Sequence, residues 1–264
     1  MIVWDNMSVD STFQIASKYS ESDGRFKVFC GLTPLKLGEA RNMGIRESQG
    51  IYIAFLDSDD LWHPTFLFDH IKVLDRYEQE IFGIGNVIEI DAVFRLTKGP
   101  TVDPVILNPV QPRKIFRKLL KGNTVYFSSL VIPKQFFDHN VGFKPEYAQA
   151  EDYELLLRAS RKMKCYKTGL AYYRIHEGNA TNSQQEALFV ESLEILKSYT
   201  KFVLGWITFK LTAARYFLYL SNLTYKSRLK KLKTQKVRVA DLLIGAIILG
   251  LVTIKSEIFG KRAS

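Results

Sequence analysis

Apolar and polar residues in the first two thirds of the chain follow two different periods. Short apolar or alternating runs predict β-strands, because neighbouring strand side chains point to opposite faces and fully buried strands are continuously apolar. The strands predicted in this way cover residues 2–4, 26–29, 51–56, 82–96, 125–132 and 165–175.

Apolar residues at helical spacing, together with capping residues, predict the helices between these strands. The predicted helices cover about residues 11–20, 38–48, a segment beginning at Pro64, 113–121, 151–161, and a last segment from Asn182 or Ser183 to about 200. Strands that alternate with helices indicate an α/β fold, with a mostly parallel central sheet covered by helices. Ligands of such sheets bind at the carboxyl ends of the strands.

The character of the sequence changes near residue 200, which predicts one domain over residues 1–200 and a helical tail over 201–264. Residues 239–254 are almost wholly apolar apart from Asp241, but about 16 residues are fewer than the roughly 20 needed to cross a bilayer. The basic residues 226–238 precede this stretch and favour a tail that lies on an anionic membrane surface. A buried core helix is the alternative.

Composition narrows the class of protein. A chain of 264 residues with 47% hydrophobic residues can form a sizeable core, which excludes global disorder. Its two cysteines, Cys30 and Cys165, have no metal-binding spacing, so we expect neither a disulfide scaffold nor a zinc site. No signal peptide is expected, and the chain has no phosphate-loop or GxSxG motif. The net charge of +10 is concentrated late in the chain.

An acidic cluster, Asp57-Ser58-Asp59-Asp60, directly follows the predicted buried strand 51–56. Carboxylates this close repel one another unless a cation or proton compensates them. Oxygen ligands of this kind suit Mg²⁺ or Mn²⁺, which also bind substrate phosphates. The cluster therefore predicts a metal-assisted site for a diphosphate; the alternative is a solvated turn rich in Asp and Ser.

Three segments together resemble family 2 glycosyltransferases, which have the GT-A fold. They are Ala40-Arg41-Asn42-Met43-Gly44-Ile45, residues 50–60, and Glu151-Asp152 at the start of a leucine-rich helix. The resemblance extends from Ile2 to about Asn182. It implies inverting transfer of a sugar from a nucleoside diphosphate sugar to a hydroxyl acceptor.

The resemblance also implies roles for the acidic residues. Asp152 would be the catalytic base that takes the proton of the acceptor hydroxyl, and Glu151 would orient it or touch the acceptor. Asp60 would be the first metal ligand, Asp59 would bind the ribose, a phosphate or the metal, and Asp57 would support the cluster. For Glu151 and Asp152, the alternative is that acidic residues simply stabilise a helix N-terminus.

Further residues are implied to hold the nucleotide. Asp5-Asn6-Met7-Ser8 matches a turn that is commonly Asp-Asp-Gly-Ser in the family, although Asn6 and Met7 depart from that pattern. Arg41 would lie near the nucleotide, with a helix-surface salt bridge as the alternative. Arg174 and His176 would bind phosphate oxygens or complete the metal shell.

The resemblance sets the expected partners and location. We expect a UDP-sugar donor, a saccharide or lipid-linked saccharide acceptor, no nucleic acid, and peripheral contact with an anionic membrane. The protein would work in the cytoplasm or at the inner face of the plasma membrane, in bacterial surface polysaccharide or lipopolysaccharide assembly.

The chain begins at what is usually the second strand of the family. A missed upstream start, a truncated gene, or another segment that fills the gap would each account for this. A non-catalytic remnant or binding partner in a polysaccharide-assembly complex is therefore one alternative function. Another metal-dependent phosphoryl- or nucleotidyl-transferase is a second.

Overall fold

The computed structural model describes residues 1–77, 80–98, 106–139, 142–179 and 184–199. The strands are β1 (Ile2–Asp5), β2 (Lys27–Cys30), β3 (Tyr52–Ala54), β4 (Leu61–Trp62), β5 (Ile81–Ile90), β6 (Leu96–Lys98), β7 (Ile106–Val110), β8 (Leu130–Pro133) and β9 (Lys164–Arg174). The helices are α1 (Thr12–Ser22), α2 (Leu37–Glu47), α3 (Phe66–Leu74), α4 (Pro112–Leu119), α5 (Gln135–Asp138), α6 (Glu151–Lys162) and α7 (Gln185–Lys197).

The described strands form two sheets. β1 and β2 pair in parallel as a two-stranded sheet, and a seven-stranded sheet has the order β3-β8-β5-β9-β4, with β6 beside β5 and β7 beside β9. The α/β class is confirmed, but parallel pairing is present only in part. β5 and β9 pair in parallel, as β1 and β2 do, whereas the other five described pairings are antiparallel.

The chain divides into two compact units. The first unit comprises residues 1–116 and 124–177, and its core lies where α3 packs on β5 and β9. Phe66, Leu74 and Ile81 are fully buried there. Gly169 has a φ of +71°, and an added Cβ would lie 2.9 Å from the His70 ring, so close packing as well as backbone conformation requires glycine.

The second unit comprises residues 117–123 and 178–264, of which the structure describes 117–123, 178–179 and 184–199. The buried apolar side chains of this described part come from the end of α4 and the residue after it, and from α7 and the segment after it; they are Leu119, Leu120, Leu193, Ile195, Leu196 and Tyr199. In the portion of the chain that the structure describes, no helix is both long and apolar enough to cross a bilayer. The predicted boundary near residue 200 stays a prediction, and the predicted tail 201–264 lies outside the described residues.

The predicted strands 82–96 and 125–132 differ in the structure. The first is divided by a turn between β5 and β6, in which the Phe94 N–H donates to the Asp91 carbonyl at 3.0 Å. Residues 125–132 were expected to be extended, yet a 3-10 turn at Phe127–Ser129 precedes β8. The turn forms because the backbone N–H and the hydroxyl of Ser129 both donate to the Tyr126 carbonyl, at 2.9 and 2.7 Å. Serine competes with strand pairing in this way, and the turn directs Ser128 away from the sheet ladder.

Candidate active site

The acidic cluster forms a turn between β3 and β4. The Asp60 N–H donates to the Asp57 carbonyl at 3.0 Å and closes the turn. The Ser128 hydroxyl joins both ends of it, because it accepts from the Asp57 N–H at 3.0 Å and donates to Asp60 Oδ2 at 2.5 Å. Ser128 was not predicted as a site residue. It lies in a segment that reads as a strand, and nothing local in the sequence marks its contact with a turn 68 positions away.

Asp60 is the most buried residue of the cluster, with 5% of its surface exposed. Its second oxygen, Oδ1, accepts from the Arg174 N–H at 3.0 Å, so both carboxyl oxygens have protein donors. Burial raises the pKa of Asp60, and the hydrogen bonds from Ser128 and Arg174 partly oppose that rise. In this arrangement Asp60 holds the turn together; its predicted role as the first metal ligand stays a prediction.

Asp59 and His176 form a pair at the more open side of the cluster. His176 Nε2 lies 3.0 Å from Asp59 Oδ2, and each side chain is about a third exposed. Arg174 Nε donates to the Asp59 carbonyl at 2.6 Å. The end of β9 and the residues after it therefore bring Arg174 and His176 to the acidic cluster. Their predicted roles in binding phosphate or a metal stay predictions.

Arg41 connects the acidic cluster to the start of α6. Its guanidinium donates to Asp57 Oδ1 at 2.7 Å and to Glu151 Oε1 at 2.8 Å. The Arg41 side chain is only 11% exposed and lies 4.0 Å from the centre of the Phe127 ring. The Asp57 side chain is 38% exposed and that of Glu151 is 4% exposed, so one of the two ion pairs lies near the surface and the other is buried. The alternative role of Arg41, a salt bridge made from its helix, is thus compatible with these contacts. Its nucleotide contact stays a prediction.

Glu151 and Asp152 are the first two residues of α6. Glu151 is 4% exposed in its side chain and is held by Arg41, whereas Asp152 is half-buried. The positive end of the helix macrodipole stabilises carboxylates at this position. The helix start therefore carries one carboxylate fixed by an arginine and a second, less buried carboxylate beside it.

The predicted nucleotide turn follows β1. The Asp5 carboxylate accepts from the Ser8 N–H at 3.1 Å, and the hydrogen bond from Ser8 lowers the pKa of Asp5. Asn6 uses both ends of its amide on the Leu35 backbone, donating to the carbonyl at 2.8 Å and accepting from the N–H at 3.0 Å. Asn6 thus ties the turn to the loop before α2, and its contact with a base stays a prediction.

The described residues fit a metal site only in part. Among the residues that the structure describes, no group of three or more His, Cys, Asp and Glu side chains is arranged to hold a metal ion. Asp59 and His176 supply two adjacent donors. Mg²⁺ commonly binds one or two protein carboxylates together with water and substrate phosphates, so these two donors fit a cation that the substrate helps to bind.

These features match a known family of transferases. The family model described as Glycosyl transferase family 2 matches residues 1–138, which is about half of the chain. The chain belongs to this family. The match covers the two-stranded sheet, the arginine of α2 and the acidic turn, and it ends before α6.

Two relatives show how far the similarity extends. The chain is 29% identical over 203 residues to WfaP of Escherichia coli, a UDP-Glc:alpha-D-GlcNAc-diphosphoundecaprenol beta-1,3-glucosyltransferase. This match covers 75% of this chain and 74% of the relative. It is 26% identical over 219 residues to a putative glycosyltransferase, EpsH of Bacillus subtilis. That second match covers 77% of this chain but only 60% of the relative.

Solved structures show the same fold. Residues 1–349 of Staphylococcus aureus TarS, crystallised in complex with UDP-GlcNAc, superpose with a TM-score of 0.57 at 18% identity. The match covers 94% of this chain and 70% of the TarS chain. A second TarS 1–349 structure, in complex with UDP, gives a TM-score of 0.56 at 19% identity.

Proposed function

We propose that the protein transfers a sugar from a nucleoside diphosphate sugar to a hydroxyl acceptor, with inversion at the anomeric carbon. The observation that carries this proposal is the pair of Arg41 contacts, to Asp57 at 2.7 Å and to Glu151 at 2.8 Å. They join the acidic turn, which would face the diphosphate, to the helix that begins with Glu151-Asp152. Donor-binding and proton-accepting groups then belong to one site.

Asp152 acts in this proposal as the general base. Its carboxylate takes the proton from the acceptor hydroxyl while the oxygen attacks the anomeric carbon from the face opposite the leaving diphosphate. Glu151, buried and fixed by Arg41, would orient Asp152. The N-terminal end of α6 supports the ionised form of Asp152, which is the form that accepts a proton.

A divalent cation, Mg²⁺ or Mn²⁺, would neutralise charge that develops on the leaving diphosphate. Asp59 and His176 come first as its protein donors, because they are adjacent and about a third exposed. Asp60 would be a third donor, and it would have to exchange one of the two hydrogen bonds that its oxygens accept. Arg174 and Arg41 would add positive charge near the phosphates, and Asp5 and Asn6 would contact the nucleoside.

The names of similar proteins support a UDP-sugar donor. WfaP is named for a UDP-glucose donor and a lipid diphosphate acceptor, and the TarS structures are titled as complexes with UDP-GlcNAc and UDP. A third relative is named for amylovoran biosynthesis. We therefore propose a UDP-sugar, a saccharide or lipid-linked saccharide acceptor, and a role in bacterial surface polysaccharide assembly at the cytoplasmic face of the membrane.

The test is a panel of UDP-, GDP- and dTDP-sugars, incubated with the full chain and Mg²⁺ or Mn²⁺. We expect hydrolysis or transfer with a UDP-sugar, and release of UDP. Binding of UDP without either reaction would favour a non-catalytic member of an assembly complex. A product that retains the nucleotide would indicate nucleotidyl transfer and overturn the proposal. The anomeric configuration of the product, read by NMR, tests inversion.

Asp152→Asn tests the proposed base. The amide cannot accept the proton, so we expect kcat to fall by roughly 10²- to 10⁴-fold while UDP binding is retained. Asp138→Asn, the same change at an exposed residue of α5, is the matched control and should leave both unchanged. Near-normal transfer by Asp152→Asn would remove Asp152 from this role.

A further inference from the structure

The helix α4 carries its cations on one side. Arg113, Lys114, Arg117 and Lys118 are all exposed. At about 100° per residue these four positions fall within an arc of roughly 140°. Lys121 follows in the turn after the helix and is exposed as well. We call the side chains of residues 113, 114, 117 and 118 the cationic face of α4.

The opposite side of α4 is apolar and buried. Phe116 and Leu119 are 7% and 2% exposed, so burial of these residues fixes the rotation of the helix and keeps the cationic face outward. No acidic residue occurs between positions 111 and 121. None of the ion pairs found within the described ranges involves a residue of the cationic face.

We propose that the cationic face of α4 binds the headgroups of an anionic phospholipid membrane. Four like charges on about 12 Å of helix repel one another, and an anionic surface relieves that repulsion while it attracts each cation. A negatively charged leaflet contributes roughly fivefold in partitioning for each Lys or Arg at its surface. The four side chains together are enough for peripheral, salt-sensitive binding.

A lipid surface suits this face better than a nucleic acid does. Single-stranded nucleic acids are held by aromatic side chains that stack on bases as well as by cations. The cationic face has no aromatic side chain, because the one aromatic residue of α4, Phe116, is buried on the other side. A flat layer of headgroups needs only the charges.

This inference rests on the proposed function in one respect only: membrane binding would give the enzyme access to a membrane-borne acceptor. Vesicle binding is measured without any sugar donor, so its loss and a loss of transfer are separate results. A protein that binds vesicles but transfers no sugar would retain this inference and lose the proposed function.

The experiment is co-sedimentation of the chain of residues 1–264 with vesicles of phosphatidylglycerol and phosphatidylcholine in equal amounts. The test variant replaces each cation of the face by glutamine: Arg113→Gln, Lys114→Gln, Arg117→Gln and Lys118→Gln. The matched control makes the same number of changes at exposed cations elsewhere: Lys18→Gln, Lys27→Gln, Lys72→Gln and Arg76→Gln. Both variants lower the net charge by four, so total charge is held equal.

We expect the partition coefficient of the test variant to fall at least about tenfold, and that of the control by much less. Binding of the unmodified protein should disappear with pure phosphatidylcholine and weaken steeply at high salt. Equal losses in the two variants, or no loss in the test variant, would overturn the proposal. The proposal would also be overturned if the protein bound an oligoribonucleotide more tightly than vesicles and the same four changes abolished that binding.

If circular dichroism shows that the quadruple variant does not fold, two double variants replace the two quadruple variants in the comparison. Lys114→Gln with Lys118→Gln is then measured against Lys18→Gln with Lys27→Gln. We expect the first pair to reduce vesicle binding several-fold more than the second. Equal effects of the two pairs would count against the cationic face of α4.

Discussion

At the scale of single residues, Met7 has an unusual backbone. Its φ is +66°, in the left-handed region that glycine adopts without a steric penalty. The sequence departs here from the family's common turn, in which glycine stands at the matching position. The turn is left-handed at this position although the residue is methionine, so the backbone is locally strained there.

Met7→Gly tests this strain. Removal of the Cβ penalty outweighs the extra freedom of the unfolded chain, so we expect the free energy of unfolding to rise by about 0.5–1 kcal/mol. Met43→Gly is the control, because Met43 lies inside α2, where glycine costs about 1 kcal/mol. Chemical denaturation of both variants should give shifts of opposite sign; a loss of stability in Met7→Gly would contradict the strain.

At the scale of elements, the packing of α3 on β5 and β9 encloses His70. The His70 side chain is fully buried, and its Nδ1 lies 2.8 Å from the Tyr166 hydroxyl of β9. Its Nε2 has no hydrogen-bond partner. Burial lowers the pKa of His70 from 6.5 to about 4, and the nearby charge of Asp69 opposes this only in part. Burial also raises the pKa of Tyr166.

This pKa predicts a pH-dependent stability. Because the unfolded chain binds a proton at His70 near pH 6.5 and the folded protein only near pH 4, stability is full above pH 6.5 and is lost as the pH falls towards 4. Between pH 7 and pH 5 the loss due to His70 is about 2 kcal/mol.

Urea unfolding at pH 7 and pH 5 measures this loss. His70→Gln should reduce the difference between the two pH values by about 2 kcal/mol. His139→Gln, at an exposed residue, should leave the difference as it is in the unmodified protein. The same difference in His70→Gln and in the unmodified protein would show that His70 does not titrate as proposed.

At the scale of the whole chain, Arg41 connects segments that are far apart in sequence. Asp57 lies 16 positions from it and Glu151 lies 110 positions from it. The guanidinium can reach both because its donors point in different directions, which a lysine ammonium does not reproduce in fixed geometry. Glu151 would otherwise be a buried carboxylate without this compensating charge.

Arg41→Met measures the strength of this connection. Removing one partner of a buried ion pair leaves the other charge uncompensated, so we expect the free energy of unfolding to fall by about 3 kcal/mol. Arg46→Met, the same change at an exposed position of α2, should cost less than about 0.5 kcal/mol. Adding Glu151→Gln to Arg41→Met should recover part of the loss. Equal costs for the two arginine variants would contradict the role of Arg41.

Much of the fold could be predicted from local pattern. The order of most strands and helices up to α7 follows hydrophobic periods and turn residues, although β7 and α5 were not predicted. Helix bounds such as those of α2 and α6 agree within about two residues. Local pattern failed where side chains redirect the backbone, as at Ser129, and where a strand is only two residues long, as in β4. Period alone cannot identify elements that short.

The sequence by itself determined the α/β class, the glycosyltransferase family and the motifs, because periodicity, turn chemistry and short motifs are properties of neighbouring residues. Only the tertiary structure decided the mixed pairing of the large sheet, the attachment of Ser128 to Asp57 and Asp60, the two ion pairs of Arg41 and the burial of His70. Each of these depends on contacts between residues distant in sequence. Such contacts form only after the strand order brings those residues together.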